Sequence, residues 1–78
     1  MSEVKKLRKF VKVNETVITP LEPRRVDILG SECLIDVRFV ENHSGTGRWL
    51  YEYEASGEVG KVERFLNRLR EIERKQDE

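Results

Sequence analysis

Between Val59 and Ile72 the apolar residues Val59, Val62, Phe65, Leu66, Leu69 and Ile72 recur at helical spacing. At 100° per residue they fill an arc of roughly 140°, which suits a sheet face better than the narrow seam of a coiled coil. The preceding residues must supply that sheet. A chain of 78 residues has room for one core, and a core this small buries only about 60% of the unfolded surface, so self-association is an expected source of further stability.

From Phe10 to Thr19, Val11, Val13 and Val17 alternate with Lys12, Asn14 and Thr16, the period of a strand, and Pro20 and Pro23 end the run. Arg25-Val26-Asp27-Ile28-Leu29 reads as a short second strand, with Gly30-Ser31 as a two-residue hairpin connection. Cys33 to Glu41 reads as a third strand, with Cys33, Ile35, Val37 and Phe39 on one face and Leu34, Asp36, Arg38 and Val40 on the other. After a polar loop from Asn42 to Gly47, Arg48 to Ala55 forms the fourth, with Trp49, Tyr51 and Tyr53 on one side. Ser56 is placed to cap the helix, and Gln76-Asp77-Glu78 to fray from its end. The expected fold class is α+β: a single domain with a four-stranded antiparallel sheet and one C-terminal amphipathic helix, in the order ββββα. Residues 1–9 form a basic arm ahead of it.

Fifteen basic residues balance fifteen acidic ones, which argues against nonspecific attraction to polyanions. Their distribution is uneven. Lys5, Lys6, Arg8, Lys9, Lys12, Arg24 and Arg25 outnumber the acids of the first third, whereas residues 26–58 hold seven acids against Arg38 and Arg48. No apolar run has the length of a membrane span and no signal peptide is evident, so a cytoplasmic location is expected, and the lone Cys33 agrees with a reducing compartment. Two glycosylation sequons, at Asn14 and Asn42, are then read as chance, and the abundance of Lys, Arg and Glu beside the single Gln76 hints at a heat-adapted source.

Catalysis finds little support. The single histidine, His43, adjoins Ser44 on a loop, and sequence neighbours rarely form the oriented pair of a nucleophile and its base. One His and one Cys cannot complete a four-ligand zinc site. Asp36, Glu52 and Glu54 read as solvated strand carboxylates, and no cofactor motif is present. Gly45-Thr46-Gly47 lacks the lysine and following helix of a P-loop. Gly57-Glu58-Val59-Gly60 matches the GXXG of KH domains, but a strand rather than a helix precedes it.

Surfaces therefore carry the functional reading. Trp49, Tyr51 and Tyr53 serve either as a stacking platform for bases or as core for the helix. Lys61, Arg64, Arg68 and Lys75 lie on one flank of the helix, suited to phosphates, to the acids of the sheet or to solvent. The basic arm is a second cationic group, able to hold phosphate or simply to solubilise the chain.

The strand Leu34-Ile35-Asp36-Val37-Arg38, the glycine loop, Gly47-Arg48 at the next strand and the closing helix resemble the single-stranded nucleic-acid-binding modules of the positive-cofactor-four coactivators. More loosely they resemble the Pur-alpha repeats, over residues 24–73. That resemblance implies a homodimer binding single strands on curved sheets, with Arg38, Arg48 and Trp49 as the matching positions. The leading expectation is thus a nonenzymatic, dimeric module for single-stranded DNA or RNA, contacted by Lys5, Lys6, Arg8, Lys9, Lys12, Arg38, Arg48, Lys61, Arg64 and Arg68, with Trp49 stacking. The alternative is a small adaptor or assembly subunit that recognises a protein partner through an apolar sheet edge or helix, its dipolar charge serving specificity. An enzyme completed by a partner's residues ranks last.

Overall fold

The computed structural model describes residues 11–44 and 49–77. The basic arm, Gly45-Thr46-Gly47 and Arg48 lie outside them. The elements are β1 (Lys12–Thr19), α1 (Pro23–Glu32), β2 (Asp36–Ser44), β3 (Trp49–Glu58) and α2 (Val59–Asp77). β3 is central, antiparallel to β1 on one side and to β2 on the other. The outer strands therefore run parallel, joined by α1 in a split β-α-β arrangement.

This corrects the expected ββββα order. Among the described residues the sheet has three strands, and the segment read as a second strand is a helix. Pro23 begins that helix, where its missing N–H costs nothing and its fixed φ suits the first turn. Val26, Leu29, Gly30 and Cys33, at helical spacing, are the buried positions. Gly30-Ser31 is thus the last turn of α1, not a hairpin. A Cβ at Gly30 would meet Val37 Cγ2 at 2.6 Å, so glycine is what lets the helix approach β2.

The helix ends in a Schellman motif. Ile35 N–H donates to Gly30 O (3.1 Å) and Leu34 N–H to Ser31 O (3.2 Å). Leu34 takes the left-handed position at φ 61°, a site that favours glycine. Cys33 is accordingly the helix cap, and the third expected strand begins later, at Asp36.

Asn42, His43 and Ser44 belong to β2 rather than to a loop, and β3 runs on to Glu58. Ser56 pairs with Asn14 and Asp36 across the sheet, so it is a strand residue rather than a helix cap. Gly57, next to last in the strand, has φ 153°, and a Cβ there would press on Ile35 at 3.1 Å. Gly60 already lies in α2, so the GXXG match spans a strand-to-helix junction. α2 continues through Gln76 to Asp77, residues expected to fray.

Both helices cover the same face of the sheet. Val17, Tyr53 and Ala55 from the strands meet Leu21, Val26, Leu29 and Cys33 around α1 and Phe65 and Leu69 from α2. Tyr53 is fully buried. Its hydroxyl donates to Leu21 O at 2.9 Å, and burial pushes its phenol well above the ordinary range. Thr19, also buried, donates to Glu73 of α2 and accepts from Leu21 N–H at 3.3 Å, which ties the end of β1 to the end of the helix. Among the described residues no helix is long and apolar enough to cross a membrane.

Candidate functional site on the two faces of the hairpin

Strand alternation sorts the β2–β3 hairpin into two surfaces. Tyr53, Tyr51 and Trp49 fall on the helix side. Phe39 is the partner of Tyr53 and shares that side. Burial declines along this row. Tyr53 is 1% exposed, Tyr51 is half-buried, Phe39 is 45% exposed and Trp49 is 61% exposed. The rings of Phe39, Tyr51 and Tyr53 lie 5.9 to 6.5 Å apart in tilted and edge-on arrangements. Two large aromatics thus extend the core row into solvent where the helices no longer cover the sheet.

Among the described residues the opposite face carries no helix and holds more acids than bases. Lys12, Asn14, Thr16 and Ile18 of β1 alternate onto it, as do Glu52, Glu54, Ser56 and Glu58 of β3 and Asp36 and Arg38 of β2. The Arg38 guanidinium donates to Glu54 at 3.0 Å, an exposed pair of small energetic weight.

A β-bulge shifts the alternation of β2 beyond Arg38. Phe39 pairs with Tyr53 but Glu41 pairs with Glu52, so Val40 is an extra residue. In a regular strand Glu41 would share the helix side with Phe39. The bulge turns Glu41 and His43 onto the open face beside Glu52 instead. There His43 Nε2 lies 2.7 Å from Glu52 Oε1 and 3.5 Å from Glu41 Oε2.

The expected nucleic-acid contacts do not gather into one surface. Lys5, Lys6, Arg8, Lys9 and Arg48 fall outside the described residues. Arg38 faces the open side and Trp49 the helix side, so these two do not share a site. Lys61, Arg64 and Arg68 lie on α2 in the helix layer, and Arg68 is held by Glu32 of α1 at 3.0 Å. Lys12 and Lys61 do converge, on a cavity of about 540 Å³, but Asp36 and Glu58 line it too. Acids outnumber bases on the open face, which disfavours phosphate there.

Sequence reasoning did not single out Phe39 as exposed, nor the grouping of Glu41, His43 and Glu52. Exposure of Phe39 depends on how far the helices reach, and the grouping depends on the bulge. Comparison with known proteins finds no matching family model, no matching curated protein and no matching solved structure.

Proposed function

We propose that this chain is a nonenzymatic recognition module that binds a protein partner along the helix side of its β2–β3 hairpin. The observation that carries this reading is the outward continuation of the core row by Phe39 and Trp49, which stand 45% and 61% exposed on one face. Exposed aromatics that adjoin a packed core are rigid anchors, and tryptophan is prominent among interface hot spots. A partner would offer an apolar segment to this face, while the acids of the open face would repel competing polyanions.

The test is photo-crosslinking from position 49, followed by reconstitution of the crosslinked partner from purified components. Trp49→Ser and Phe39→Ser should each weaken that complex by about 2 kcal/mol or more, as loss of a hot-spot side chain does. Full affinity in both variants would overturn the reading. Sedimentation of the isolated chain distinguishes a second copy as the partner.

A single-stranded nucleic-acid module is the second reading, favoured by the exposure of Trp49, since an uncovered indole can stack on a base. Its signature is quenching of Trp49 fluorescence by mixed oligonucleotides that fades as salt rises.

A further inference from the structure

The open side of the hairpin carries a different chemistry from the aromatic side. Glu41 and His43 of β2 and Glu52 of β3 each offer one ligand atom, and these atoms lie within 4.8 Å of one another. A zinc-sized cation sits about 2.0 to 2.2 Å from imidazole nitrogen and carboxylate oxygen. Ligand atoms around it are then roughly 3 to 3.6 Å apart, close to the separations of His43 Nε2 from Glu52 Oε1 and Glu41 Oε2, 2.7 and 3.5 Å. Glu52 and His43 are partly buried, with side chains 22% and 38% exposed, whereas Glu41 is open to solvent at 62%.

We infer that Glu41, His43 and Glu52 form an open three-ligand site for a divalent transition cation of the Zn²⁺ type, with water completing the coordination. The donor set selects the class. An imidazole nitrogen suits Zn²⁺, Co²⁺ and Ni²⁺, whereas Mg²⁺ and Ca²⁺ take oxygen ligands and would gain little from His43. The residue count that excludes a closed zinc site within one chain does not bear on an open one. The Val40 bulge assembles the site, since it alone sets Glu41 and His43 on the same face as Glu52.

The experiment is a titration of the full, metal-stripped chain with Zn²⁺, and with Co²⁺ for its visible ligand-field bands, monitored in parallel by the imidazole resonances of the only histidine. The expected result is one ion per chain and a large shift of the His43 ring signals. Binding should weaken by about tenfold or more in His43→Ala and in Glu52→Gln. Glu54→Gln, on the same face but paired with Arg38, should bind as the parent does. Circular dichroism establishes that each variant is folded. Unshifted His43 signals, full affinity in folded His43→Ala, or equal competition by Mg²⁺ would overturn the site.

Discussion

The two faces of the β2–β3 hairpin differ in what holds their side chains. On the helix side Tyr53 is placed by packing within the core of Phe65 and Leu69, and Tyr51 and Phe39 by contact with neighbouring rings. On the open side, Arg38, Glu41, His43, Glu52 and Glu54 are placed by charge and hydrogen bonds in the presence of water. The first face specifies the fold and the second is free to vary, except where a bulge draws ligand-type groups together. Stability should therefore respond strongly to the helix side and weakly to the open side.

The largest expected effect is from Phe65→Ala, which empties a fully buried ring site and should cost about 3 to 5 kcal/mol in urea unfolding. A loss below about 1 kcal/mol would mean that the helix layer does not define the core. Gly30→Ala tests the α1 contact. Its Cβ meets the stiff Val37 side chain at 2.6 Å, so it should lose about 1 to 2 kcal/mol despite the better helix propensity of alanine. Adding Val37→Ala should give a double variant whose loss is less than the sum of the two.

Leu34→Gly works in the opposite direction. Relief of the left-handed leucine should raise stability by about 1 kcal/mol, read as a higher denaturation midpoint. Tyr53→Phe removes one buried hydrogen bond and should cost about 1 kcal/mol at neutral pH. Its clearer signature is at alkaline pH. The folded phenol titrates above its ordinary value of 10.0, so the unfolded chain releases that proton first and stability falls as pH rises beyond it. That component of the alkaline loss should be missing in Tyr53→Phe. Smallest of all, Arg38→Ala on the open face should change stability by about 0.5 kcal/mol or less.

The legibility of each element in the sequence tracks the strength of its period. The first strand and the closing helix carry long, unmixed patterns, and both stand close to their expected bounds. The Trp49, Tyr51, Tyr53 alternation likewise assigns one face correctly. α1 reads wrongly as a strand because Val26, Ile28 and Leu29 fit two periods over so short a run, and because Gly30 and the prolines look like turn punctuation. The helical reading rests on Cys33, one turn further on, and the leucine at the C-terminal cap hides the stop that a glycine would have marked. The candidate sites are less legible still. A one-residue bulge leaves no mark in composition or period, yet it decides which face Glu41 and His43 occupy. Exposure of Trp49 is set by the reach of helices far from it in sequence.

The central position of β3 also separates short-range from long-range pairing. β2, β3 and α2 are consecutive in the chain, so their contacts close over short loops. Among the described residues β1 pairs only with β3, Lys12 opposite Glu58 and Thr19 opposite Tyr51, and α1 and β2 intervene. A chain made from its N-terminus must therefore hold its first strand unpaired until β3 has been synthesised. The Val13, Val17 and Ile18 side chains wait through that interval. The pairing of β1 with β3 therefore closes over more of the chain than any β2–β3 pair, and Thr19 adds a bond from its end to Glu73.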